Sequence, residues 1–97
     1  MEICIQNTWG TVCDDGWGNL DARVVCRQLG FSNTMAFGLT ASHGIVAGSG
    51  RIWLDNVQCI GNETLLIACR ANPLGAQNCG HSEDAGVQCQ PGKPVTR

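Results

Sequence analysis

The segment Trp9-Gly10-Thr11-Val12-Cys13-Asp14-Asp15-Gly16-Trp17 joins a strand pattern to a cysteine, two adjacent carboxylates and a turn. Thr8 to Val12 is short, β-branched and aromatic, which favours an extended strand. Asp14-Asp15-Gly16 stops that strand, because Asp tolerates tight turns and Gly supplies positive φ. Cys13 therefore sits at a strand end, and two carboxylates leave it into an exposed turn. Such a pair has two readings. It is a solvated turn, or it is a repelling pair that a hard cation with oxygen ligands would relieve. The segment by itself leaves both open.

The 97 residues suit one domain. Aromatic content is only 5%, there is no Tyr, and Gly numbers 13, so the core is thin for the length. Seven cysteines compensate as cross-links, which implies an oxidising compartment. Zinc is the rival explanation, but zinc modules favour close pairs such as C-x-x-C, and the chain has none. The net charge of −2 argues against nucleic acid, which needs a basic footprint. No apolar run is long enough to span a membrane. Met1 is followed at once by a charge and a strand pattern rather than by a signal peptide, which fits an excised module. Pro91-Gly92-Lys93-Pro94 reads as a linker or tail over 91–97.

Working outward, Glu2 to Gln6 alternates as a strand, Asn7 supplies a turn, and Thr8 to Cys13 returns, giving a hairpin. Asn19 is the expected N-cap of a helix from Leu20 to Leu29, with Asp21 in its first turn and Gly30 at C′. Ala22, Val25, Cys26 and Leu29 share its inner face, while Arg23 and Arg27 lie one turn apart on the other side. Phe31 to Gly50 has no sustained period and reads as a long loop pinned by Phe31, Met35, Phe37 and Ile45. Arg51 to Leu54 is a strand that ends at Asp55-Asn56. Asn62 is the expected cap of a short helix from Glu63 to Cys69, and Asn62-Glu63-Thr64 is an N-glycosylation sequon. Gly86 to Cys89 reads as the closing strand.

Spacing does not give the disulfide connectivity. With one cysteine left free, the other six pair in 15 ways, so about 105 arrangements exist. A family resemblance is more specific. The strings Trp9 to Trp17, Val24-Val25-Cys26-Arg27-Gln28-Leu29-Gly30, Leu54-Asp55 before Val57-Gln58-Cys59, Asn78-Cys79-Gly80-His81, and Glu83-Asp84-Ala85-Gly86-Val87 with Cys89 follow in order. Together they resemble the scavenger receptor cysteine-rich domain, over residues 1–90.

The resemblance implies a small disulfide-stapled α+β fold, with a curved antiparallel sheet cradling one main helix and long loops. It implies bridges Cys13–Cys79, Cys26–Cys89 and Cys59–Cys69, the pattern of the group with six framework cysteines. Phe31 stands where the eight-cysteine group has another Cys. Two departures stand out. Family domains usually begin with a strand before the position of Glu2, which would otherwise cover a sheet edge. Cys4 replaces a usual apolar residue, and is expected as a small buried hydrophobe ahead of an intermolecular disulfide.

The same resemblance implies Ca²⁺ as cofactor, held by Asp14, Asp15 and Glu83. A second site would use Asp55 and Asn78, weakened because Asn56 replaces a carboxylate. His81 and Asp84 are either ligands or turn-forming residues. The implied function is Ca²⁺-dependent binding of anionic or protein ligands outside the cell, on microbial and host surfaces, without catalysis. A family segment linked to bacterial adhesion resembles Glu2 to Trp9, except at Cys4 and Ile5. The alternatives are a metal-independent contact module using Arg23, Arg27 and Arg51, and a spacer within a larger receptor or protease. Ser42-His43 and Ser49 lack a nucleophile-elbow pattern, so an enzyme is the weakest reading.

Overall fold

The computed structural model describes residues 1–31, 36–89 and 93–95. β1 (Glu2–Ile5) and β2 (Thr8–Val12) form the expected hairpin, pairing Cys4 with Trp9 and Ile5 with Thr8. Its two-residue turn places both Gln6 and Asn7 at positive φ, 52° and 62°, as a type I′ turn requires. β2 then pairs in parallel with β4 (Arg51–Leu54), with a register shift between Thr11 and Val12. β5 (Gly86–Cys89) pairs antiparallel with β3 (Ala36–Leu39) on one edge. On its other edge lies β6 (Lys93–Val95), within the stretch read from sequence as a tail. The α+β class is as expected. The sheet is divided into two three-stranded parts, β1-β2-β4 and β3-β5-β6, and one of its pairs is parallel.

Helix α1 spans Asn19–Gln28 and packs on β3 and β5. Its N-cap is Gly18, not Asn19. The Asn19 amide oxygen is used elsewhere, accepting the Gly38 N–H at 2.9 Å. The Asp21 carboxylate reaches back to the Gly18 N–H at 2.8 Å, so one arm of a capping box forms; glycine has no side chain for the other. At the C-terminus Gly30, at φ 90°, donates to Arg27 O and Phe31 donates to Cys26 O, a full Schellman closure. Ala22, Val25 and Cys26 are buried as expected, together with Val24. Leu29 is 47% exposed, because it lies at the cap where the chain leaves the core.

Two loop expectations are corrected. Phe31 to Gly50 contains β3 and a 3-10 turn at Ala41–His43. Gly38 hides the strand signal, and it is needed: a Cβ there would meet the Gly18 carbonyl oxygen at 2.7 Å. Of the expected anchors, Ile45 packs against Gly86, Phe31 and Phe37 are half-exposed, and Met35 lies outside the described residues. Between Cys59 and Cys69 there is a 3-10 turn only at Leu66–Ala68, and Asn62 does not cap it. The Glu63 carboxylate instead accepts the N–H groups of Ile60 and Gly61, both at 2.9 Å, which holds a tight turn. One disulfide joins the ends of this ten-residue separation, with Gln58 pairing Arg70 outside it, and the tight turn on Ile60 and Gly61 takes up the residues where the helix would begin.

The bridges are Cys13–Cys79, Cys26–Cys89 and Cys59–Cys69, with Cα separations of 6.2, 5.6 and 4.8 Å. Cys4 is free and exposed, contrary to the buried reading. The cause is strand alternation: Ile3 and Ile5 pack on the core, so Cys4 faces the other way. Thiol labelling of the native oxidised protein should therefore modify Cys4 alone, and labelling of any framework cysteine would contradict the pairing.

Three polar residues hold the loops. Asp21 is buried and also accepts the Cys59 N–H at 2.8 Å, which ties α1 to the loop carrying Cys59. Asp21→Ala orphans two N–H groups and should cost about 1–3 kcal/mol in denaturant unfolding. Asp21→Asn keeps one acceptor oxygen and should cost less. His81 bridges the buried Asp84 carboxylate, at 3.0 Å, to the Gly50 carbonyl, also at 3.0 Å, and Asp84 accepts the Gly48 N–H at 2.7 Å. The Asp84 hydrogen bond, then the Gly50 carbonyl, raise the His81 pKa above 6.5. A raised histidine contributes stability that is fully present below its unfolded pKa and lost as pH rises through the folded value. Melting temperature in chelator should fall across that window, and His81→Gln should remove the slope; a slope of opposite sign would contradict the clamp.

Candidate metal centre

The end of β2 fixes the acidic turn in three ways. Cys13 N–H donates to Leu54 O at 2.9 Å, Asp14 N–H donates to Glu83 O at 2.7 Å, and Cys13 is bonded to Cys79. Trp17 N–H closes the turn on Asp14 O at 3.0 Å, with Gly16 at φ 73°. Trp17 is buried, and its indole N–H donates to Gly86 O at 2.8 Å, which locks the turn to β5. Opposite, a 3-10 turn at His81–Glu83 presents the Glu83 side chain.

These constraints bring one carboxylate oxygen each of Asp15 and Glu83 together with both sulfurs of the Cys13–Cys79 bridge, all within 4.8 Å of one another. The sulfurs are in a disulfide, so they carry neither a proton to donate nor the thiolate charge a soft metal needs. Asp15 Oδ2 lies 3.7 Å from Cys79 Sγ, a packing contact rather than a hydrogen bond. What is left is a pair of hard oxygen donors resting on a rigid sulfur bridge.

Asp55 enlarges the cluster electrostatically. It follows β4 directly, is 1% exposed, and its Oδ1 has no hydrogen-bond partner. A buried carboxylate oxygen without a partner is costly. Desolvation, then the charges of Glu83 and Asp55, raise the pKa of Asp15 above the ordinary aspartate value. The charged groups that perturb Asp15 are thus both acids.

The residues singled out from sequence fall into three groups. Asp15 and Glu83 meet directly, and Asp55 acts on Asp15 from the interior. The Asp14 carboxylate is outside the tight cluster, and its backbone makes the contact to Glu83. Asn78 is exposed beside the bridge, its Oδ1 3.6 Å from Cys79 Sγ. His81 and Asp84 serve the clamp on Gly48 and Gly50. The basic residues are partly committed. Arg27 donates to Gly61 O at 2.8 Å and to Glu63 O at 2.7 Å, holding the sequon loop to α1. Arg51 stacks over Trp53 at 4.7 Å and remains exposed, as does Arg23. Sequence reading gave no hint that Asp55 has an orphaned oxygen, because burial of a strand-terminal Asp depends on what covers it.

A family model for the scavenger receptor cysteine-rich domain matches residues 1–90. The chain is 51% identical over 89 residues to macrophage receptor MARCO of Mesocricetus auratus, covering 92% of this chain and 17% of that protein. It is 47% identical over 91 residues to lysyl oxidase homolog 4 of Homo sapiens, covering 94% of this chain and 12% of that protein. It therefore spans only a small part of the length of these relatives. Among solved structures, the dimeric form of the SRCR domain of mouse MARCO superposes with a TM-score of 0.84 at 49% identity, covering 93% of this chain and 83% of that one. The third SRCR domain of murine neurotrypsin gives 0.81 at 44% identity, covering 95% of this chain and 84% of that one. With a matching family model over nearly its whole described length, and the fold to go with it, this chain belongs to the scavenger receptor cysteine-rich domain family.

Proposed function

We propose that this domain is an extracellular, non-catalytic ligand-binding module that holds Ca²⁺ at Asp15 and Glu83 and uses the ion to recognise anionic ligands. The observation that carries this reading is the convergence of Asp15 and Glu83 on the Cys13–Cys79 disulfide, with the charge of the buried Asp55 adding to that of Glu83 on Asp15. The donor chemistry fits a hard cation. All usable donors are oxygens, and both nearby sulfurs are locked in the bridge. Asp14, in the same turn, and Asn78, beside Cys79, are the further oxygen donors within the local chain. Ca²⁺ takes six to eight oxygen ligands, so a site with this few protein donors keeps positions for water or ligand. Sulfate, phosphate or carboxylate groups would enter those positions, and the metal would turn an acidic surface into an anion receptor. The three bridges require an oxidising environment, which supports an extracellular setting. Among the described residues no helix is long and apolar enough to cross a membrane.

Calorimetry on the oxidised domain should give a Ca²⁺ dissociation constant of about 10⁻⁴–10⁻³ M, with Mg²⁺ competing poorly. Asp15→Ala and Glu83→Ala should weaken Ca²⁺ and binding of a sulfated polysaccharide together. Asp55→Asn should act in two directions. It should weaken Ca²⁺, and in chelator it should raise the melting temperature, because an unpaired buried charge has been removed. Unchanged Ca²⁺ titration in the Asp15 and Glu83 variants would show the site misplaced. Lost Ca²⁺ binding with retained polysaccharide binding would instead support a metal-independent surface built on Arg23 and Arg51.

A further inference from the structure

The loop from Cys59 to Cys69 presents a built acceptor for a covalent glycan. In Asn62-Glu63-Thr64 the middle residue is tied to its own turn: its carboxylate accepts Ile60 and Gly61 N–H groups, and its backbone carbonyl accepts an N–H of Arg27 Nη2. Asn62 and Thr64, the two residues the transfer reaction needs, are both exposed. Neither lies in a helix or strand. Arg27, Asp21 and the Cys59–Cys69 bridge hold the loop at three points.

The surroundings supply a second reason. Ile60, two residues before the acceptor, is 75% exposed, and Leu20 at the start of α1 is 45% exposed. The intervening Gly61 lies against both Leu20 and Arg23: a Cβ on it would be 3.1 Å from Leu20 and 3.8 Å from Arg23. The sequon loop therefore lies against the Leu20 and Arg23 side of α1, with Ile60 exposed two residues before the acceptor. A large polar group at Asn62 would cover both.

We propose that Asn62 carries an N-linked oligosaccharide that shields the exposed Ile60 and Leu20 side chains and closes the Arg23 side of α1 to macromolecular partners. The donor is a lipid-linked diphospho-oligosaccharide of the secretory pathway. The bond formed joins Asn62 Nδ2 to the anomeric carbon. The bond broken is that carbon's bond to phosphate oxygen, the lipid diphosphate leaves, and the amide proton goes to solvent. The inference goes beyond the metal-centred reading, and it stands or falls separately from it.

The test is expression of the full chain through a eukaryotic secretory pathway, followed by peptide mapping that confirms the three bridges. Wild type and Thr64→Ser should carry glycan at Asn62, while Asn62→Gln and Thr64→Ala should carry none. Endoglycosidase-treated protein should bind more of an apolar fluorescent dye than untreated protein. Correctly bridged, secreted wild type with an unmodified Asn62 peptide would overturn the assignment. Glycosylated protein whose dye binding does not rise on treatment would overturn the shielding role.

Discussion

The Cys13–Cys79 bridge is the constraint on which the rest depends. It ties the end of β2 to a segment 66 residues away, just before the turn that carries Glu83. In a chain-entropy view, closing a loop of that length contributes about 4 kcal/mol by restricting the unfolded chain. The bond matters as much for position as for stability. Asp14 and Asp15 leave one of its ends, Gly80 to Glu83 leaves the other, and the backbone bond from Asp14 to Glu83 fixes their offset. Without the bridge, mutual repulsion would let the two carboxylates part.

The site is placed against the grain of electrostatics, and the surrounding structure tolerates it. Desolvation first, and then the charges of Glu83 and Asp55, push the Asp15 pKa up, so the three acids are unfavourable neighbours. The other buried acids nearby are not in this position. Asp21 has two backbone N–H partners, and Asp84 has His81 and Gly48. The contrast separates acids that hold the fold from the one whose oxygen is still unsatisfied. A thin core reinforced by three disulfides can carry such a local cost, because much of its stability comes from restricting the unfolded chain. Among the described residues the charges that perturb Asp15 are both acidic, and the proposed metal would supply the opposing charge.

Much of this was legible in the sequence, and the failures have physical causes. The hairpin, α1, β4 and β5 follow from alternation and capping residues, and the Schellman closure follows from Gly30. β3 was hidden because Gly38 lowers strand propensity at the place where Trp17 and Gly18 need a residue without Cβ. Asn62 looked like a cap because its spacing is right, yet the Glu63 carboxylate closes a tight turn on the Ile60 and Gly61 N–H groups just before it, and no helix starts there. Asp15 and Glu83 came from family motifs. Local sequence contains nothing that would bring them together across 68 positions without the disulfide. Asp55 was expected to matter less because Asn56 lowers the charge beside it. What sequence could not show is that Asp55 is buried with an oxygen that has no hydrogen-bond partner among the described residues.

The most direct measurement is amide chemical-shift mapping of the oxidised domain as Ca²⁺ is titrated in. The account predicts saturable shifts concentrated on Asp14 to Gly16, on Asp55 and Asn56, and on Asn78 to Glu83, while α1 and the Cys59–Cys69 loop stay fixed. Shifts absent from those three segments, or centred instead on the Arg23 and Arg51 surfaces, would contradict it.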